Sequence, residues 1–310
     1  MSKEIRIGTR GSQLALWQAN NVKHLLDKQG YSTRIVTIDG HGDHDLTQPL
    51  HRLGVVGLFT KNLDDAMLRG EIDIAVHSLK DVPTELHPKI TQVAVLERGQ
   101  YHDVLVYKEG SQTFLEDVNA SGIIATGSLR RKAQWLARYP NYNVVSLRGN
   151  VNTRLRKLDE NNWKGAIFAQ AGLSRINLLP EKHIVLDWMV SSPAQGAIMI
   201  TALKSDKEIG DICNNLNHKP TEICVKIERD FMKTLEGGCT APIGAKASII
   251  EDKLHFIGGV YALDGKENVM LEESVPLDDI SKLGEQFATT VLAKGGKKLM
   301  ENILKEIENE

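Results

Sequence analysis

Cysteine is scarce in this chain. There are three, Cys213, Cys224 and Cys239, in 310 residues, and none has the CxxC spacing of a zinc site or a redox motif. They cannot all pair, which fits a reducing compartment and excludes a fold built on disulfides. Long apolar runs are missing too. No stretch has signal-peptide or membrane-spanning length, and the opening MSKEIRIGTR runs straight into a strand, so the expected compartment is the cytoplasm, with no membrane partner. Nor does one sign of charge dominate. With 38 Lys and Arg against 40 Asp and Glu, the formal net charge of −2 gives no footprint for nucleic acid, and any basic site must be local. The stretch GHGDHDLTQPLH has no regular ligand spacing and reads as a solvated loop, so no metal is expected. What remains, 41% apolar and 25% charged residues, is ordinary globular usage, with enough chain for two or three domains.

The pattern along the chain is α/β. A strand in EIRIGT leads to a helix capped by Ser12, then to a strand TRIVTID, a helix from Thr60 to Arg69, and strands IDIAVHS and TQVAVL. After LERGQYHD the pattern begins again, with DVLVY, IIATGS feeding SLRRKAQWLARY, NVVSLRGN feeding NTRLRKLDEN, GAIFAQAG and HIVLDW. RIGTRGS and IIATGS share a strand, a Thr, a glycine and a Ser at a helix start, an echo that suggests two related domains facing each other. The last third changes to strands IGAKASII, KLHFIGGVYAL and ENVMLEESVPL, then a helix from about Ile280 onward, which describes a small antiparallel sheet with helices on it.

In open α/β sheets, ligands sit beyond the carboxyl ends of the strands, where loops enter helices. Arg10, Gly11 and Ser12 stand at one such point, Thr126, Gly127, Ser128, Arg130 and Arg131 at a second, and Arg148, Gly149 and Asn150, with Arg154 one turn on, at a third. Arg175 follows FAQA. Taken singly, each arginine reads as a surface ion pair; together they describe a site for a polyanion. In IDIAVHSLKDVPTE the strand ends near Ser78 and presents Lys80 and Asp81 at the same edge. Asp81 is either a general acid/base beside that site or a turn residue before Val-Pro, and His77 reads as a packed strand histidine.

Cys239 follows the amphipathic helix TEICVKIERDFMKTL, with Thr221 the expected N-cap and Gly237 the terminator, while Cys213 and Cys224 fall on apolar faces as core residues. The helix dipole is negative at that end and no histidine lies close upstream, so little there would hold a permanent thiolate. This argues against a protease-type nucleophile and leaves an ordinary turn residue as the alternative. On the residues alone, a noncatalytic anion receptor also stays open.

The segments AVHSLKDVPT, SLRR, SLRGNVNTRL and LEGGCTAPIG resemble the porphobilinogen deaminase family, in order over essentially the whole chain. The resemblance implies a monomeric cytoplasmic transferase of tetrapyrrole (haem) biosynthesis. Such an enzyme joins four porphobilinogen molecules head to tail, with release of ammonia, into the linear hydroxymethylbilane. It implies an α/β fold with two periplasmic-binding-protein-like open-sheet domains, residues 1–98 with 196–216 and residues 99–195. A small α+β C-terminal domain with a three-stranded antiparallel sheet would cover 217–310. By the same resemblance, Cys239 would hold a dipyrromethane cofactor through a thioether, and Asp81 matches the catalytic carboxylate. Lys80, Ser128, Arg130, Arg131, Arg148 and Gly149 match cofactor-binding positions. Arg10, Ser12, Arg98, Arg148, Arg154, Arg175 and Gln195 match substrate-binding ones.

Two departures stand out. GVVGLF carries Val56 where the family commonly has a lysine in a loop over the cleft, so Arg52 and Lys61 become the candidates for the lid's positive charge, Arg52 first because it lies within the loop. SPAQGAIMI carries Ala194 where the family commonly has a glycine.

Overall fold

The computed structural model describes residues 4–38, 60–108, 115–235, 241–278 and 280–309. Its first sheet grows from β1 (Ile5–Thr9), which pairs in parallel with β2 (Thr33–Thr37) and β3 (Ile74–Ser78). Helix α1 (Gln13–Lys28) makes the crossover between β1 and β2. Ser12 caps it as its spacing predicts, its side chain accepting from the Ala15 amide at 3.3 Å. Helix α2 (Lys61–Leu68) precedes β3, with Thr60 at its N-cap but no side-chain capping bond. The sheet ends with β4 (Ile90–Val95).

A second sheet holds β5 (Asp103–Tyr107), β6 (Gly122–Ala125), β7 (Tyr142–Val145), β8 (Gly165–Ala169) and β9 (His183–Leu186). Helices α3 (Leu129–Arg138), α4 (Val151–Glu160) and α5 (Gln170–Ser174) follow β6, β7 and β8. The chain then returns: β10 (Ile198–Leu203) enters the first sheet antiparallel between β3 and β4, giving the order β2-β1-β3-β10-β4. The second sheet has the same plan, β7-β6-β8-β5-β9, with β5 as its antiparallel member. The repeated strand–glycine–serine motif thus corresponds to two sheets of one design.

Because the antiparallel strand of each sheet comes from the far side of the other, the chain crosses twice between them, over 96–102 and 187–197. The crossings lie side by side. The Leu96 amide donates to Ile198 O at 3.0 Å, the Gly99 amide to Gly196 O at 3.0 Å, and Arg98 Nε to Gln195 O at 2.8 Å. Gly196 sits at φ +85, and a Cβ there would stand 2.7 Å from Gln100 O, so the close approach of the crossings demands glycine. Ala194 adopts φ +60 and is buried among Leu79, Val95 and Met199, so it holds a left-handed conformation in exchange for a packed methyl.

After α6 (Lys207–Asn214), the long helix α7 (Lys219–Thr234) leads to a three-stranded antiparallel sheet of β11 (Ile243–Ile250), β12 (Lys253–Tyr261) and β13 (Asn268–Pro276). The cap of α7 differs from expectation. His218, not Thr221, takes the N-cap, its ring accepting from the Thr221 amide at 3.3 Å, because Pro220 is accommodated within the first turn and the helix starts three residues earlier. The helix ends at Thr234 with Leu235 as C-cap, and Gly237 lies outside the described residues. The C-terminal helix is two: α8 (Leu283–Val291) and α9 (Lys297–Asn309) are joined by a π-turn, Leu292–Gly296, in which Gly295 has φ +110. Phe231, Phe256, Phe287 and Val291 form the core between helices and sheet. Cys213 and Cys224 are buried, each in a hydrophobic cluster.

One buried ion pair joins these parts. Glu228 of α7 is fully buried and receives Arg98 Nη1 at 2.6 Å and Nη2 at 3.1 Å, the Ala194 amide at 2.7 Å and the Ala247 amide at 2.7 Å. Removing one partner of such a pair leaves the other charged in a dry site, so Glu228→Gln should cost about 3 to 5 kcal/mol of stability. The double change Glu228→Met with Arg98→Met should cost less than Glu228→Gln alone in urea unfolding. A double variant weaker than the single one would mean that the charge pairing is incidental.

Candidate active site

The first wall of the cleft is built at the carboxyl ends of β1 and β3. Ser78 ends β3, and a single 3-10 turn, Leu79–Asp81, presents Lys80 and Asp81. Arg10, Ser12, Gln18, Ser78 and Asp81 line one pocket of about 110 Å³, in which Gln18 Nε2 donates to Ser78 Oγ at 2.8 Å. Asp81 is exposed at this pocket. His77, on the same strand, is buried against Thr201 Oγ1 at 3.3 Å. Burial pushes its pKa down to about 4, so it is a neutral packed imidazole at pH 7.

The second wall comes from the loops after β6 and β7. Ser128 caps α3, its Oγ accepting from the Arg131 amide at 3.4 Å, and Asn150 caps α4, its Oδ1 accepting from the Thr153 amide at 2.9 Å. The two loops abut so closely that a Cβ on Gly127 would lie 2.5 Å from Leu147 O. Gly149, at φ +111, lets the second loop turn into α4, and its carbonyl accepts Arg154 Nε at 2.7 Å.

Beneath both walls lies a carboxylate that the sequence reading did not single out. Asp103 is fully buried, with Arg130 Nη1 2.8 Å from Oδ2 and Arg131 Nε 2.9 Å and Nη2 2.8 Å from Oδ1. Burial alone would raise its pKa, but the two guanidiniums outweigh burial and hold it well below the usual carboxylate range. Gln195 Nε2 donates to the same Oδ1 at 2.9 Å and to Tyr101 O at 2.7 Å, while its Oε1 accepts Lys80 Nζ at 3.2 Å. A hydrogen-bonded chain therefore runs from Lys80 on the first wall through Gln195 to Asp103 and the arginines on the second.

Burial also sets the cations. It lowers Lys80 to about 8, with Arg131 and Arg130 adding to the shift and Asp81 and Asp103 opposing it. It lowers Arg154 to about 10, with Arg131 and Arg148 adding and Asp81 opposing. Lys80 is thus within electrostatic reach of Arg130, Arg131, Asp81 and Asp103, and Arg154 of Arg131, Arg148 and Asp81. Lys80, Arg130, Arg131 and Arg154 outnumber the two carboxylates that these interactions involve, and the excess positive field in the cleft is lowered by an anionic ligand.

Two predicted residues stand apart. Arg175 donates from Nη2 to Gly196 O at 2.7 Å, stacks 5.6 Å from the Trp17 ring and lines a separate cavity of about 310 Å³ with Arg98. Arg98 is committed to Glu228 and the Gln195 carbonyl. Both arginines brace the crossings instead of lining the Asp81 pocket. Lys61 is exposed at the start of α2. Cys239, Arg52, Val56 and the histidine-rich stretch lie outside the described residues. Asp103 and Glu228 left faint marks in the sequence: an acid opening the apolar strand DVLVY, and an acid four residues after Cys224 on the apolar face of a helix.

A family model described as porphobilinogen deaminase, dipyromethane cofactor binding domain, matches residues 5–211, and one described as its C-terminal domain matches residues 222–293. The chain belongs to the porphobilinogen deaminase family. It is 41% identical over 305 residues to a porphobilinogen deaminase of Pelobacter propionicus, covering 97% of both chains, and 39% identical to one of Pelotomaculum thermopropionicum over the full length of both. A probable porphobilinogen deaminase of Methanosarcina acetivorans is 41% identical, with 97% of this chain and 95% of that one covered. Among solved structures, the periplasmic VFT2 domain of BvgS from Bordetella pertussis has a TM-score of 0.42 at 12% identity, covering 69% of this chain and 86% of that one. A probable amino-acid ABC transporter binding protein of Bacillus subtilis also scores 0.42, at 13% identity, covering 70% and 90%. No described helix is long and apolar enough to cross a membrane.

Because Lys80 titrates near 8, raising the pH from about 7 to about 9 discharges one cleft cation in the free protein, and affinity for a carboxylate ligand falls as the pH rises. Losing one charged hydrogen bond worth about 1.5 kcal/mol would weaken binding of dipyrromethane by the cofactor-free protein roughly tenfold across that window, as titration at the two pH values would read. In Lys80→Arg, which stays charged, this loss should vanish from the pH profile.

Proposed function

We propose that Asp81 is the acid/base group of this enzyme, that Cys239 anchors its cofactor, and that the cations behind Asp81 hold the carboxylates of the growing chain. The reaction is that of the family: porphobilinogen units are joined, with loss of ammonia, into hydroxymethylbilane, in tetrapyrrole biosynthesis. The cofactor is dipyrromethane. Each pyrrole ring of this chemistry bears an acetate and a propionate, so a two-ring group brings four carboxylates. The excess of cations over acids described above fits such a group. Lys80, Ser128, Arg131, Arg148 and Arg154 would hold it, and it supplies a free pyrrole α-carbon as the point of chain growth.

The residues of this chain then have separable tasks. Arg10 and Ser12, in the pocket with Asp81, take the carboxylates of the incoming monopyrrole and orient its aminomethyl group toward Asp81. When the carbon–nitrogen bond breaks, its electron pair leaves with the ammonia, and the Asp81 carboxylate faces the cation that remains on the substrate. Asp81 would then be the base that takes the proton displaced from the acceptor ring when the new carbon–carbon bond replaces a carbon–hydrogen bond. The single observation that carries this reading is that Asp81 lies at the Arg10 and Ser12 pocket, beside Lys80, and within electrostatic reach of Arg154 on the other wall.

We take residues 1–98 with 196–216, 99–195 and 217–310 as the domain organisation, a reading that the two crossings and the third sheet support. We also assign the enzyme to the cytoplasm as a monomer, in keeping with its reduced cysteines. The loop that contains Arg52 is assigned as a lid, with Arg52 replacing the family's lysine at Val56 and Lys61 at its base. Arg98 and Arg175 are reassigned from substrate contact to support of the crossings through which Gln195 passes.

Intact mass is the direct test of the anchor. Purified protein should be heavier than its sequence by two linked pyrroles, and Cys239→Ala should lack the excess. Asp81→Asn should keep the excess mass and lose at least about 10²-fold in turnover, since proton transfer and charge stabilisation are removed together. Wild-type turnover in Asp81→Asn would refute its role.

A further inference from the structure

A groove of about 540 Å³ lies away from the cleft and shares no lining residue with the Asp81 pocket. One wall is the outer face of the three-stranded sheet. Lys246 pairs with Ile257 and Ile257 with Glu272, and beside them Ser248 pairs with His255 and His255 with Ser274, so two cross-strand rows stand on one face. The other face of this sheet carries the core against α7, α8 and α9. The facing wall is the second crossing from Asp187 to Ser191, together with Tyr101 and His102.

Three features of the groove call for a ligand. Ser191 is 2% exposed, and its Oγ has no hydrogen-bond partner among the described residues although it lines the groove. Lys246 is half-buried, and among the described residues no carboxylate pairs with it; its Nζ donates to Ala247 O at 2.6 Å and lies 4.1 Å over the Tyr101 ring. The two residues stand on adjoining backbone segments, because the Ala245 amide donates to Ser191 O at 2.9 Å, and both line the groove. Aromatic surface completes the site: Tyr101 and His102 stand 4.2 Å apart, centroid to centroid, and Trp188 adds a third ring. Glu272, Glu273 and Asp187 also line the groove, and their charge selects against ligands with several negative charges.

We propose that this groove is a second ligand site, for a small aromatic monocarboxylate whose carboxylate meets Lys246 Nζ and Ser191 Oγ and whose ring lies on Tyr101 and Trp188. Its volume is that of a small-molecule pocket. The site is independent of the reaction, because the groove and the Asp81 pocket share no lining residue.

Titration calorimetry of the full-length holoenzyme with 1-naphthylacetate tests it. The expected result is one saturable site with Kd on the order of 10 to 500 µM. Lys246→Met should weaken binding at least about tenfold, because the carboxylate loses its charged partner, and Ser248→Trp, set on the exposed face of the sheet, should abolish it by filling the groove. Arg10→Leu should leave it unchanged. No saturable heat, a loss in Arg10→Leu equal to that in Lys246→Met, undiminished binding in Ser248→Trp, or tighter binding of inorganic phosphate would each overturn the assignment.

Discussion

A single buried carboxylate holds the three sheets in register. Glu228 has no exposure to water, and its two oxygens receive donors from three separate places: Arg98 on the first crossing, Ala194 on the second, and Ala247 on the third sheet. Taking a carboxylate and a guanidinium out of water is expensive, and only converging donors with good geometry offset that cost. The arrangement therefore fixes where α7 can lie. Because α7 is the last described element before Cys239, the same carboxylate that joins the crossings also fixes the point from which the chain runs on to that cysteine.

The cleft solves a second electrostatic problem. A site for many carboxylates needs many cations, and cations held together without a ligand repel one another. Asp103 answers this by pairing with Arg130 and accepting from Arg131, whose donors are further committed to the Val190 and Ile167 carbonyls. These two are rigid, half-neutralised elements of the wall. Lys80, Arg148 and Arg154 sit closer to the ligand side of that balance, and burial has lowered Lys80 far enough that the charge it carries responds to what is bound. Gln195 connects the two groups, so the wall that carries Asp81 and the wall that carries the arginines share one hydrogen-bonded chain.

Local signals in the sequence were strong where the backbone itself needs a particular residue. Ser12, Ser128 and Asn150 were legible as helix starts because a cap requires a side-chain acceptor there, and the repeated strand–glycine–serine pattern was visible because each strand must turn sharply into its helix. The small sheet was legible from its alternation and turns. Long side chains were harder to read. Arg98 and Arg175 stand at suitable points in the chain, but an arginine reaches far from its backbone: Arg98 turns toward Glu228 and the Gln195 carbonyl, and Arg175 toward the Gly196 carbonyl. Asp103 and Glu228 stayed hidden for the opposite reason: one acid in an apolar run looks like a surface residue until its distant partners are known. Thr221 lost the cap of α7 to His218 because proline fits the first turn of a helix. The C-terminal helix divided at Gly295, where the backbone takes a conformation that a continued helix cannot.

The double crossing also has a consequence in time. The second sheet is made of one continuous stretch, from Asp103 to Leu186, whereas the first stays incomplete until β10 arrives, after the whole second unit. During synthesis the middle of the protein can close its sheet while the older, amino-terminal part still waits, with β3 and β4 lacking the strand that belongs between them. Those open edges are adhesive surfaces for as long as the ribosome takes to pass Leu203. A chain cut short anywhere between Leu186 and Ile198 would keep them for good, folded in its middle and exposed at its beginning.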